Sequence, residues 1–241
     1  MGHNQDLMVD PGLIRQRLSD VRQQIEETAR RCNRAPEEIC LIAIGKTHPP
    51  DVLEAAIEAG VSDLGENRVQ EAEEKIIALG RHAVRWHLVG HLQANKSRRA
   101  VKLFDLIHSV DSISLARRLD RLCVEESREE LRVLIQVDLA GEETKSGVDD
   151  KELNSLVDAV AECPRLRLSG LMTLPPFFDN PEDARPFFSR LRKLRDELAV
   201  EEVFQGRGEL SMGMTHDFVV AIEEGATMVR IGTAIFGQRK Q

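Results

Sequence analysis

Ile39-Cys40-Leu41-Ile42-Ala43-Ile44-Gly45-Lys46-Thr47 is the stretch that decides how this chain folds. Six apolar residues and a glycine lead to a single amine. An apolar run of this length marks a strand buried on both faces, as in a parallel sheet covered by helices. A lysine at the end of such a strand is partly desolvated. That setting disfavours the ammonium and favours a nucleophilic amine, able to form a Schiff base with an aldehyde. The competing reading of Lys46 is a strand-end lysine that snorkels to solvent.

Working outward, Pro49-Pro50-Asp51 opens a helix that stops at Gly60. The same strand-then-helix unit repeats to the end. Strands are predicted over 63–65, 85–90, 106–110, 131–139, 166–173, 209–212 and 227–231. Helices are predicted through Leu79, around 94–102, from the Asp111-Ser112 N-cap to about 127, and over 150–162, 182–198 and 216–224. A further amphipathic helix over 11–33 precedes the first strand. Eight strands alternating with eight helices in about 200 residues predict an α/β fold, a (β/α)₈ TIM barrel with an additional N-terminal helix. One domain is expected over 1–241, with the barrel over about 39–237. A doubly wound open sheet is the alternative, but it would show fewer strands and a glycine fingerprint after the first one.

The 241 residues carry a net charge of -8, with 41% hydrophobic and 31% charged residues, the profile of a soluble globular protein. The acidic balance argues against a broad nucleic-acid surface. No apolar run is long enough to span a bilayer. Cys32, Cys40, Cys123 and Cys163 form no Cys-x-x-Cys pair, which suggests a reducing compartment. Residues 1–6 show no signal-peptide pattern, so a cytoplasmic protein, and a monomer, is expected.

Barrels place their sites at the C-terminal ends of the strands. Polar and small residues gather there: Lys46-Thr47, Glu66-Asn67-Arg68, His87 through Lys96, His108-Ser109, Asp138, Thr173, Ser211 through Thr215, and Arg230 through Thr233. The last two loops suit a phosphate: Gly213, Gly232 and Gly237 admit close backbone approach, and Thr215 and Thr233 offer hydroxyls. Turn glycines and N-caps are the alternative there. Arg230 interrupts an apolar strand and needs a partner, either an ion pair or a heteroaromatic nitrogen to which it would donate. His87 and His91 have the spacing of a helical zinc pair but lack its glutamate and read as strand and turn, so no metal is expected. Lys96, Arg98, Arg99 and Lys102 read as a solvated basic helix face.

These motifs, in order from about residue 39 to the end, resemble those of the pyridoxal 5′-phosphate homeostasis proteins, single-domain relatives of the alanine racemase barrel. The matching segments include Gly45-Lys46-Thr47, Gly65 through Glu71, Trp86-His87, Asn95-Lys96, His108 through Ser112, Glu143 through Gly147, Gly170 through Met172, Leu210 through Met214, and Val229 through Gly237. The resemblance implies pyridoxal phosphate held as a Schiff base on Lys46, Arg230 facing the pyridine nitrogen, and Asn67 beside the cofactor. It implies phosphate binding by Met214, Thr215, Gly232 and Thr233. Lys145 matches a second lysine of the family, with a possible role in loading or transfer, and Lys240 is a further candidate. Three positions depart from the family pattern: Gly45 for serine, Asp138 for asparagine and Thr215 for serine.

The resemblance also bears on catalysis. An arginine at the pyridine nitrogen keeps it unprotonated and weakens the ring as an electron sink. Related racemases are implied to compensate with a second base, a tyrosine delivered with a β-rich domain. This sequence has no tyrosine, and about four residues follow the last barrel motif. One lost acid–base group costs about 10²–10⁴-fold. The expectation is therefore a non-catalytic carrier, buffer or regulator of pyridoxal phosphate, with no catalytic residue assigned, that passes cofactor to dependent apo-enzymes. The alternatives are a pyridoxal-phosphate-dependent amino-acid racemase and a sugar-phosphate isomerase or aldolase working through Lys46.

Overall fold

The computed structural model describes residues 10–141 and 146–237. Its centre is a ring of parallel strands: β1 (Cys40–Ile44), β2 (Asp63–Glu66), β3 (Arg85–Leu88), β4 (Leu106–Val110), β5 (Leu131–Asp138), β7 (Leu166–Met172), β8 (Glu209–Met214) and β9 (Met228–Ile231). Each pairs with the next, β4 pairs directly with β5, and β9 returns to β1, so the sheet closes. A two-residue strand, β6 (Val148–Asp149), adds to the end of β5. It was not predicted, because two residues carry no readable alternation.

Helices α2 (Pro50–Glu58), α3 (Val69–Leu79), α4 (Ser97–Leu103), α5 (Ile113–Glu125), α6 (Leu153–Ala161), α7 (Arg185–Val200) and α8 (Phe218–Glu223) follow the strands, and α9 (Thr233–Phe236) is one turn after β9. The expected barrel is the observed one. Helix α1 (Pro11–Arg31), capped by Asp10, packs against α2, α8 and α9. The sequence reads Leu13, Leu18, Val21 and Ile25 as its apolar stripe; the fold turns Leu13 to the surface and buries Ile14, Leu18, Val21 and Ile25. Each such side chain contributes roughly 1.5–3 kcal/mol.

Two apolar layers follow from strand alternation. Outward-facing residues such as Ala43, Leu64, Trp86, Leu88 and Ile107 pack against the helices. Inward-facing Ile42, Ile44, Val89, Leu106, Leu134, Met172 and Met228 fill the barrel. Strand β8 runs to Met214, two residues past the predicted end. Gly213, just past that predicted end, reads in the sequence as a point of close ligand approach, with a turn glycine as the alternative. It sits instead in the strand at φ +90°, where a Cβ would come within 2.6 Å of the Ala221 Cβ, so the glycine lets α8 close down on β8.

Candidate functional site

Strands β8, β9, β1 and β2 are consecutive neighbours in the ring. The register sets Arg230 beside Ile42 of β1 and Met214 of β8. The C-terminal ends of these four strands therefore carry Met214 and Thr215, then Gly232 and Thr233, then Lys46, then Asn67 on one arc of the barrel mouth. Closure of the ring brings together four separate segments of the chain, around residues 46, 67, 214–215 and 230–233.

Lys46, half-buried, lies two residues beyond β1 in a tight turn whose next residue, Thr47, has a left-handed φ of +67°. The turn is tied down from α3. Lys75 Nζ donates to the Gly45 carbonyl oxygen at 2.8 Å, to Glu66 Oε1 at 2.8 Å and to Glu71 Oε1 at 2.7 Å. The same Glu71 oxygen accepts from the Thr47 backbone N–H. Burial pushes the Glu66 carboxyl up to about 7 despite the Lys75 ammonium beside it. Gly45, the departure from the family's serine, has a reason here. A Cβ would stand 2.7 Å from Glu66 Oε1 and 2.9 Å from Leu53 Cδ2.

Asn67 is held where β2 ends by close approach of the β3 loop. A Cβ on Gly90 would lie 2.3 Å from the Asn67 carbonyl oxygen. On the other side, Met214 N donates to Asp217 Oδ1 at 2.6 Å. Thr215 Oγ1 accepts from Gly232 N at 3.3 Å and from Ala234 N at 3.5 Å. The Thr215 hydroxyl therefore meets the backbone donors at the start of α9, as expected of a residue standing in for serine. Asp138, the third departure, caps its own turn by accepting from Ala140 N at 3.0 Å and Gly141 N at 3.3 Å.

Arg230 is 3% exposed. Its Nη1 donates to Ser211 Oγ at 2.6 Å and its Nη2 to the Thr173 carbonyl oxygen at 2.9 Å. Among the described residues no carboxylate lies within ion-pair distance of it, so the sequence alternative of a structural ion pair is not what the fold adopts. Burial pushes the guanidinium down to about 10, with the more distant Asp217 opposing. A desolvated cation without a counter-ion is costly. It fits a site built to receive an uncharged or anionic acceptor.

Behind Arg230 the barrel holds a polar chain that the sequence did not disclose. Ser211 Oγ lies 2.9 Å from His108 Nδ1, His108 Nε2 lies 3.0 Å from His87 Nδ1, and His87 Nε2 lies 2.9 Å from Asp63 Oδ1. Arg85 grips Asp63 with Nε and Nη2, both at 2.7 Å. His87, His108 and Ser211 were expected at the mouth of the barrel but lie buried within it. The available signal was polar residues at inward positions of apolar strands. Lys75 was also missed, since a lysine on an amphipathic helix gives no hint of burial.

Other candidates resolve locally. His91 pairs with Asp111 at 3.2 Å, and among the described residues no His, Cys, Asp and Glu cluster is arranged to hold a metal. Arg98 pairs with Glu125 and Glu126, Lys102 with Glu126 at 2.7 Å and Arg99 with Glu73 at 2.9 Å, which neutralises much of the basic face. Lys145 and Lys240 lie outside the described residues. No described helix is long and apolar enough to cross a membrane.

A closed parallel barrel with a lysine after its first strand, a buried arginine in its last, and glycine and threonine residues after its last two strands is the (β/α)₈ class of protein. Residues 17–240 match the family of the alanine racemase N-terminal domain. The chain is 44% identical to the pyridoxal phosphate homeostasis protein of Aquifex aeolicus over 225 residues, 93% of this chain and 98% of that one. It is 42% identical to the protein of the same name from Escherichia coli K12, over 94% of this chain and 97% of that one. The structure of PipY from Synechococcus elongatus with pyridoxal phosphate bound superposes with a TM-score of 0.82 at 36% identity, covering 93% of this chain and all of that one. The chain belongs to the pyridoxal phosphate homeostasis family of alanine racemase-type barrels.

Proposed function

We propose that this protein binds pyridoxal 5′-phosphate and acts in its homeostasis, as a carrier, buffer or regulator without catalytic turnover. The observation that carries the reading is Arg230: a buried cation, fixed by Ser211 and Thr173, with no carboxylate partner among the described residues. A pyridine nitrogen, which accepts a hydrogen bond and need not be charged, suits that donor. In this reading Lys46 is the covalent anchor and Arg230 faces the ring nitrogen. Asn67 lies beside the ring, and Met214, Thr215, Gly232 and Thr233 take the phosphate. Lys145 serves loading or transfer to apo-enzymes. Residues 1–241 act as one cofactor-binding unit, in the cytoplasm and as a monomer.

When bound, pyridoxal phosphate supplies a reactive aldehyde and an electron-withdrawing ring. The chain's own residues hold it but give it little help toward turnover. Arg230, a donor only, would keep the ring nitrogen unprotonated, and none of the 241 residues is a tyrosine to serve as the racemase-type base. The relatives named above are homeostasis proteins, which supports the non-enzymatic reading. The test is the absorbance spectrum of purified protein with added pyridoxal phosphate, before and after borohydride, with the modified peptide mapped. Uptake of a visible band, trapped on Lys46 and lost in Lys46→Ala, is expected. A colourless protein that takes up no cofactor would overturn the reading, and steady-state turnover of L-amino acids would move it to the racemase class.

A further inference from the structure

The barrel core of an apolar-filled (β/α)₈ fold has no need of two imidazoles meeting edge to face. Here His87 (4% exposed) and His108 (fully buried) span the interior between Asp63 and Ser211, inside a ring of aliphatic and methionine side chains. One end of the chain is Arg230 at the ligand mouth. The other is Arg85, at the start of β3 and so at the opposite mouth, with its side chain 63% exposed.

The donors and acceptors can be assigned atom by atom. The Arg85 fork and the Ser62 hydroxyl hold Asp63 as a carboxylate, which only accepts. His87 Nε2 therefore donates to it. A neutral His87 accepts at Nδ1, so His108 Nε2 donates there. A neutral His108 accepts at Nδ1, so Ser211 gives its one proton to His108. Arg230, a donor only, then fills the Ser211 lone pair. Every atom in this sequence is satisfied and each bond points the same way. The reverse polarity requires an imidazolium at His87. It also gives Ser211 Oγ two incoming donors while its own proton finds no acceptor among the described residues. Burial, the largest cause, with the Arg230 charge adding to it, holds His108 well below the usual imidazole range, in keeping with a neutral His108 ring.

We propose that Asp63, His87, His108 and Ser211 form a one-way hydrogen-bond relay through the barrel that fixes Arg230 as a donor toward the ligand pocket, with both imidazoles neutral and protonated on Nε2. The four are positioning residues, because they act on a ligand through Arg230. The polarity of the relay stands by itself, whereas its effect on a ligand rests on the pyridoxal phosphate reading above.

Two measurements test it. Nitrogen-15 spectra of histidine-labelled full-length protein without cofactor, at neutral pH, report the tautomers directly. His87 and His108 are both expected to show a pyrrole-like Nε2 and a pyridine-like Nδ1. Protonation of His108 on Nδ1, or a doubly protonated His87, overturns the relay. In cofactor titrations, Ser211→Ala is expected to weaken pyridoxal phosphate retention on the order of tenfold, the loss of one hydrogen bond to a charged group, and to shift the visible band. Ser211→Thr keeps the hydroxyl and restores both. His108→Gln, which can accept from Ser211 and donate to His87, retains binding, while His108→Leu does not. Unchanged affinity and band in Ser211→Ala would overturn the positioning role. Should the wild-type protein take up no cofactor at all, the functional reading falls, and the tautomer spectra still decide the relay.

Discussion

Lys75 Nζ donates at 2.8 Å to the carbonyl oxygen of Gly45, the residue immediately before Lys46. The ammonium is buried and shared with Glu66 and Glu71, and Glu71 also accepts the N–H of Thr47. Lys75 on α3 thus holds the backbone before Lys46 directly and the backbone after it through Glu71. An anchor that must meet an aldehyde in one orientation benefits from a turn whose carbonyl and amide are both committed.

Lys75→Met should therefore strip the compensation from a fully buried carboxylate. The expected loss is about 3–5 kcal/mol, as for other broken buried pairs. The double substitution Lys75→Met with Glu66→Leu should recover much of it. Urea denaturation of both variants checks the prediction, and cofactor uptake should fall in both because the turn before Lys46 loses its tether.

Glu66 also sets a pH dependence. Burial pushes its carboxyl up to about 7 in the fold, well above its ordinary value of 4.5, with Lys75 opposing. Between those values the folded state binds more protons than the unfolded chain, so stability falls as pH rises through this window. Asp63 acts oppositely. Burial raises its carboxyl, but hydrogen bonds from His87 and Arg85 outweigh that and hold it well below the ordinary carboxylate range, so its contribution disappears as pH falls through the acid range. Denaturation midpoints at pH 5, 6 and 7 should decline in the wild-type protein, and Glu66→Gln should flatten the decline.

Gly90→Ala tests the support of Asn67. The new Cβ would meet Asn67 main-chain atoms at 2.3–2.9 Å, and backbone cannot rotate away as a side chain can. A destabilisation of about 1–3 kcal/mol is expected from overpacking, with weaker cofactor uptake. Thermal melts and cofactor titration read the two effects.

Arg98 and Lys102 present the most basic helix face, yet both are paired with Glu126. The protein, with its net charge of -8, should pass a polyanion resin at physiological ionic strength, and Arg98→Ala should leave its elution and its denaturation midpoint little changed. Retention that weakens with salt would reopen the nucleic-acid reading.

Much of the fold was legible because the apolar runs are uninterrupted and punctuated by strong stops. Pro50 opens α2, Ser112 caps α5 and accepts from Leu115 N, and Leu131–Asp138 is a strand whose interior is almost wholly buried. Strand ends were less legible. Gly213 fell just past the predicted end of β8 and was read as a point of ligand approach, with a turn the alternative, while in the fold it is a packing position within the strand under α8. The site was legible where residue type carries the chemistry, as with Lys46 and Arg230. It was not legible where the chemistry lies in a partner. Lys75 reads as a solvent-facing helix lysine until Glu66 is placed beside it.

Local pattern alone determined the eight strand–helix units, the strand-end position of Lys46 and the burial of Arg230, because each depends on a run of neighbours in the chain. The tertiary structure alone decided that Asp63, His87, His108, Ser211 and Arg230 stack into one chain, and that Lys75 reaches Gly45. Alternation says that a residue points inward. Which inward residues of different strands touch depends on the register and closure of the ring, and no stretch of sequence carries that information.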